Sequence, residues 1–147
     1  MNPAGRRLYV CGFLFSPDRA RVLLIRKNRP AWQAGKLNGV GGKVEPSDAD
    51  PLAAMRREFR EEAGLDIAEW HDVLTLTAAE WHTHFYRAFG DLEAARAMTD
   101  EKLEIHPTSE LPCDTIPNLH WMIPLMLDEE VLAGNYQITI PPHNTAQ

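Results

Sequence analysis

Apolar positions along this chain alternate between two spacings. From Leu8 to Ser16 and from Arg21 to Lys27 they form short β-rich runs, which predict two strands. The turn-like segment Pro17-Asp18-Arg19-Ala20 joins them into a hairpin. After a glycine-rich stretch the spacing lengthens. On a wheel of about 100° per residue, Leu52, Met55, Phe59 and Ala63 make one apolar stripe that anchors a helix on a core. Asp50-Pro51 reads as an N-cap followed by proline at the first helical position, which sets where that helix begins. Strands are predicted over Val73–Ala78 and Trp81–Phe89, with a weaker helical segment of a turn or two over Leu92–Met98. A short strand over Leu103–His106, a second helix within Leu119–Ala133 and a late strand over Tyr136–Ile140 complete the reading. Strands gathered around two helices indicate an α/β or α+β sandwich rather than a bundle or a barrel.

The helical spacing also gathers charge. Glu58, Glu61 and Glu62 share one face, because residues three and four apart are neighbours on a helix. Three carboxylates crowded there repel one another, and a bound dication removes that penalty. Oxygen donors without Cys or His suit Mg²⁺ or Mn²⁺, and Mg²⁺ commonly completes its shell with substrate phosphates. The implied substrate carries phosphate, and the glutamates are expected at a cleft rim.

Composition narrows the classes. A chain of 147 residues with 44% hydrophobic content matches one compact domain over 1–147. A formal charge of −6 argues against a broad footprint for duplex nucleic acid, while leaving room for a small nucleotide. There is no apolar run of about 18 residues to span a bilayer, and the N-terminal apolar stretch is too short and strand-like for a signal peptide, so a soluble, cytoplasmic protein is expected. Cys11 and Cys113 are too few for a disulfide framework and are read as reduced, structural thiols.

The run Arg57-Glu58-Phe59-Arg60-Glu61-Glu62-Ala63-Gly64-Leu65, following Gly42, resembles the signature of the Nudix hydrolases: glycine, five residues, an acid, a spacer, then Arg-Glu-apolar-x-Glu-Glu-x-Gly-apolar. Its second half is present without substitution. The first half departs from the pattern: five residues on from Gly42 stands Asp48 in place of the usual glutamate, and the spacer to Arg57 is eight residues, 49–56, where seven are usual. The inserted residue is expected in the loop before the helix. The first acid's role then falls to Asp48, to Asp50 or to neither.

The resemblance implies a Nudix-type α/β/α sandwich with a mixed β-sheet and a loop-helix-loop catalytic motif. It implies Glu58, Glu61, Glu62 and the Gly42 carbonyl as metal ligands for Mg²⁺, with Mn²⁺ as the alternative, and Arg57 orienting Glu58. The general base is Glu58 or a glutamate outside the signature, for which Glu101 is the candidate by order along the chain; its other reading is a solvated loop acid. The implied reaction is hydrolysis of a phosphoanhydride in a nucleoside diphosphate linked to a further group. The expected substrate is a modified or unmodified nucleoside triphosphate, cleaved to monophosphate and pyrophosphate. The alternatives are an ADP-ribose or dinucleotide pyrophosphatase and a sensing module that binds without turnover. Trp32–Gly39 and Leu111–Asn118, leading into Trp121–Leu125, resemble the oxidised-purine nucleotide hydrolases of the family. That likeness assigns Asn38 to nucleotide contact and Trp32 to stacking, and places Asn118 where the subgroup carries an acid. Lys43, beside the glycine loop, is a candidate for phosphate. Arg26, Lys27 and Arg29 read as a solvated strand end, and His82 and His84, two apart on a strand, lack an evident third metal ligand. Monomer and homodimer both remain open.

Overall fold

The computed structural model describes residues 5–130 and 135–142. Its strands are β1 (Arg7–Phe15), β2 (Arg21–Arg26), β3 (Leu37–Asn38), β4 (Val40–Lys43), β5 (His71–Thr77), β6 (Trp81–Phe89), β7 (Lys102–Pro107) and β8 (Tyr136–Thr139). Helix α1 spans Pro51–Ala63 and α2 spans Leu119–Leu127. The strands run in the order β3-β2-β1-β6-β5-β8, with β4 paired to β1 and β7 to β2. The sheet is mixed: β1 lies parallel to β6, from Arg7 opposite Trp81 to Phe15 opposite Phe89, while β1–β2, β1–β4 and β5–β6 are antiparallel.

Strand β1 explains the layers. Its residues from Val10 to Phe15 are all buried, because side chains alternate between two covered faces. Phe13 and Phe15 join Leu24, Leu74, Met122 and Met126 on the α2 side. Val10 and Leu14 join Leu23, Met55, Phe59 and Trp70 on the α1 side. The expected sandwich is therefore present. Strand β1 also changes partner along its length: Tyr9 to Gly12 pair with β4, and Leu14 and Phe15 pair with β2. The glycine-rich stretch, read from sequence as a loop, is thus drawn into the sheet by main-chain pairing.

Helix α1 begins where Asp50 accepts a hydrogen bond from the Ala53 amide at 2.8 Å, with Pro51 following. It ends at Gly64, whose φ of 73° is the left-handed geometry that glycine adopts without strain. Two further orphan carbonyls are satisfied from afar: the Arg96 amide donates to Ala63 O and the Met98 amide to Glu62 O. The chain after β6 is thereby fastened under α1. That segment holds only a single 3₁₀ turn at Leu92–Ala94, shorter than the expected Leu92–Met98, since its amides serve α1 instead. The apolar stripe is also rotated from expectation. Leu52 is exposed, whereas Ala54 and Glu58 are buried with Met55, Phe59 and Ala63. Helix α2 lies within the expected range; residues 131–134 of that range lie outside the described residues. Among the described residues no helix is long and apolar enough to cross a membrane.

Candidate active site

Pairing of β4 with β1 brings Gly42 under α1. A methyl group at Gly42 would sit 2.5 Å from Glu58 Oε1, so only glycine lets the Glu58 carboxylate come this close to the backbone. Glu58 is accordingly buried rather than pointing to a rim, and burial raises its proton affinity against the opposing pull of Arg57. Glu62 is more strained still. Its Oε2 is buried without a hydrogen-bond partner, and burial, followed by the charge of Glu58, pushes its pKa up to about 7. Glu61 lies outside this pair, with its side chain 57% exposed.

Arg57 organises the loop side. Its Nε and Nη2 donate to the two oxygens of Asp48 at 2.9 and 2.8 Å, and Nη2 also reaches the Lys43 carbonyl at 3.1 Å. Nη1 donates to Glu58 Oε1 at 3.0 Å and to Glu61 Oε2 at 3.2 Å. The Arg57 guanidinium holds the Asp48 carboxyl below the usual carboxylate range, and Asp48 also receives the Glu45 amide. Asp48, with its side chain only 5% exposed, therefore stands as the loop acid that pairs with Arg57, while Asp50 is committed to capping α1. Ala49 alone separates the two acids.

Beside Gly41 and Gly42 a cleft of about 900 Å³ opens on the α2 side. Asn38, Trp32 and Asn118 all line it, bringing Asn118 to two residues about 80 positions earlier in the chain. Trp32 stands at its mouth, 64% exposed. The Asn38 side chain is fixed: Nδ2 donates to Gln33 Oε1 at 3.0 Å, and Oδ1 accepts from the Gly39 amide at 2.8 Å. Asn118 opens α2, and its Oδ1 is buried without a partner. The walls are largely apolar and aromatic, with Trp81, Phe85 and Trp121 among them.

The structure places the remaining candidates as follows. Lys43 is exposed and does not line the cleft; its carbonyl, rather than its ammonium, is engaged. Of the strand-end cations read as solvated, Arg29 is, with its side chain 62% exposed, whereas Arg26 and Lys27 are not. Arg26 makes a two-pronged pair with Glu104, and Lys27 lines the cleft with its side chain 15% exposed. Glu101 is not a solvated loop acid but is 4% exposed, bonded to Lys27 Nζ at 3.0 Å and to the Asn28 amide at 2.6 Å. Lys27 and Glu101 are 74 residues apart, and no local pattern marks them as partners. Cys11 and Cys113 are both free thiols, the first buried at the cleft floor.

His82 and His84 lie on the opposite face of the sheet, the face that Tyr86 presents to α1. Their Nδ1 atoms meet Thr77 Oγ1 at 2.8 Å and Asp72 Oδ2 at 2.9 Å. Among the described residues no group of three or more His, Cys, Asp or Glu side chains converges on a common point for a metal ion. On α1, Arg57 bridges Glu58 and Glu61 instead. The donor set nevertheless suits a hard dication: carboxylate oxygens only, a buried and unpartnered Glu62 Oε2, and a glycine at 42 that lets the Glu58 carboxylate lie against the main chain.

The comparisons agree with this geometry. A curated relative from Danio rerio, an oxidized purine nucleoside triphosphate hydrolase, is 33% identical over 129 residues, covering 80% of this chain and 78% of its own. The crystal structure of a NUDIX hydrolase from Nitrosomonas europaea superposes with a TM-score of 0.70 at 17% identity, covering 94% of this chain and 80% of that one. That of a MutT NUDIX hydrolase from Burkholderia pseudomallei gives 0.68 at 21%, covering 81% and 96%. The sequence model of the NUDIX domain matches residues 5–126, and the chain belongs to this family of hydrolases.

Proposed function

We propose that the chain is a Mg²⁺-dependent pyrophosphohydrolase that converts a nucleoside triphosphate to its monophosphate and pyrophosphate, with Mn²⁺ able to replace Mg²⁺. The observation that carries this reading is Glu58, buried against Gly42, beside a half-buried Glu62 whose Oε2 is buried and unpartnered, at the edge of a cleft walled by aromatic rings. A buried carboxylate oxygen with no hydrogen bond costs folding free energy, and such groups concentrate where function requires them. Glu58, Glu62, Glu61 and the Gly42 carbonyl would hold the metal, which when bound offsets charge on the phosphate oxygens and activates the water nucleophile.

The chain's own residues supply the remainder. Arg57, clamped by Asp48, fixes the Glu58 carboxylate in place. Glu58 accepts the proton of the attacking water. Trp32 stacks on the base, and the Asn38 and Asn118 amides read its edge. Asn118 offers both a donor and an acceptor but does not change charge, unlike an acid. The relative from Danio rerio brings oxidised purines into consideration, and Asn118 leaves the base open between oxidised and unmodified forms.

Incubation with Mg²⁺ and a panel of unmodified and oxidised nucleoside triphosphates, ADP-ribose and dinucleoside polyphosphates tests the proposal. Monophosphate plus pyrophosphate from one triphosphate is the expected result. Preference for ADP-ribose or a dinucleotide would overturn the substrate class, and binding without turnover across the panel would overturn the enzyme itself.

A further inference from the structure

Strand β6 sends successive side chains to opposite faces of the sheet. Trp81, Thr83 and Phe85 line the cleft, so His82 and His84 turn to the far face. Directly opposite them on β5 stand Thr77 and Thr75, and beyond these on β8 stand Thr139 and Gln137. This corner of the far face is therefore polar, unlike the stretch where Val10, Leu14, Tyr86 and Ala88 join the core around Met55 and Phe59. A polar sheet face needs only hydrophilic side chains. It does not need two imidazoles steered the same way.

The ring centroids of His82 and His84 lie 5.0 Å apart, and each ring is held through Nδ1 from the β5 side. His84 Nδ1 is 2.9 Å from Asp72 Oδ2. An ionised carboxylate only accepts, so Nδ1 carries the proton and the lone pair of the neutral ring sits on Nε2. Asp72 is fixed in turn, its Oδ1 accepting from Asn135 Nδ2 at 2.8 Å. His82 Nδ1 meets Thr77 Oγ1 at 2.8 Å, a hydroxyl able to accept the same proton. Among the described residues no hydrogen bond engages either Nε2. A ring oriented through one nitrogen, with the other left as an electron-pair donor, is how imidazole is presented to a metal ion. Burial, followed by the charges of His84 and Arg6, holds His82 below its ordinary value, so this ring is neutral at pH 7. Arg6 opposes a bound cation there and Asp72 favours it.

We propose that His82 and His84, through their Nε2 atoms, form a metal site on the face of the sheet away from the cleft, for a borderline dication of the Zn²⁺ or Cu²⁺ class. Imidazole nitrogen suits these ions, whereas Mg²⁺ favours oxygen donors such as Glu58, Glu61 and Glu62. The described residues offer no third ligand, so water completes the shell. The site is therefore open and exchangeable, unlike a four-ligand structural centre. Asp72 does not touch the ion; it is a positioning residue that fixes the His84 tautomer.

The test is calorimetry with Zn²⁺ and with Cu²⁺ on the full chain, free of any affinity tag and in excess Mg²⁺ so that oxygen sites are competed. Wild type, His82→Gln with His84→Gln, and Asp72→Asn are compared, with metal-free thermal melts to check folding. Wild type is expected to take up one Zn²⁺ that the double variant does not, and to bind Cu²⁺ more tightly than Zn²⁺. Asp72→Asn should weaken Zn²⁺ binding by about tenfold to a hundredfold, the scale of losing an orienting carboxylate. Mg²⁺-dependent turnover of the double variant should match wild type, because neither ring lines the cleft. Electron paramagnetic resonance of Cu²⁺ on wild type should show coupling to two imidazole nitrogens, a readout that needs no variant to fold. Equal Zn²⁺ uptake by wild type and the double variant would overturn the inference, as would a Cu²⁺ spectrum without that coupling. Unchanged affinity in Asp72→Asn would overturn the positioning role of Asp72.

Discussion

Glu104 on β7 and Glu62 on α1 are two partly buried glutamates of one small fold, and they meet opposite fates. Glu104 receives Arg26 Nε and Nη2 at 2.7 and 2.9 Å and His106 Nε2 at 2.9 Å, and the Arg26 bonds above all pull its pKa down to about 2. Glu62 has a buried oxygen with no partner, and burial above all pushes its pKa up to about 7. The sheet can satisfy an acid when stability is all that is asked of it. Where a carboxylate is left frustrated beside a cleft, the proposed function supplies the missing partner as an external cation, and the cost is borne by the rest of the fold.

The sharpest way to break that contrast is to neutralise each acid. Glu62→Gln should lower Mg²⁺-dependent kcat on the order of a hundredfold or more, the scale of losing charge stabilisation at a metal site, while leaving the metal-free melting temperature unchanged or higher. Glu104→Gln should do the reverse: turnover within a few-fold of wild type, and a loss of about 1–3 kcal/mol in urea unfolding as Arg26 loses a charged acceptor. Equal effects of both substitutions on kcat would erase the distinction.

A smaller effect separates them by pH. Glu62 binds its proton more tightly in the folded state, so its contribution to metal-free stability is complete below its ordinary value of 4.5 and is lost as pH rises through about 7. Glu104 has the opposite sign: its contribution is complete above 4.5 and is lost as pH falls towards about 2. Melting temperature against pH in chelator should show both limbs. Glu62→Gln should flatten the upper limb and Glu104→Gln the acidic one.

What the sequence disclosed follows the range of the forces involved. The β1–β2 hairpin and the Asp50 cap are local, fixed by residues within a few positions of one another, and both were legible. The phase of α1 was legible only in part. Met55, Phe59 and Ala63 face inward as the wheel predicts, but Glu58 takes the inward position that Leu52 was expected to share with them. Burying Glu58 depends on space at Gly42 and on countercharge from Arg57, the first of which comes from a strand before the helix. Strand β4 escaped notice because its glycines have no side chain to pattern, and β3 because two residues are too few to show a period. The Lys27–Glu101 pair escaped because a contact across 74 residues leaves no trace in a window of ten.

The extra residue ahead of Arg57 carries a lesson about tolerance to change. The Asp48–Arg57 bond closes the loop at one point and the Asp50 cap starts the helix at another, so the chain between these anchors sets neither the bond nor the helix. Lengthening such a loop costs little, about 0.6 kcal/mol per doubling of its length. A residue added to or removed from that loop is expected to change stability little so long as the carboxylate-to-guanidinium contact still forms.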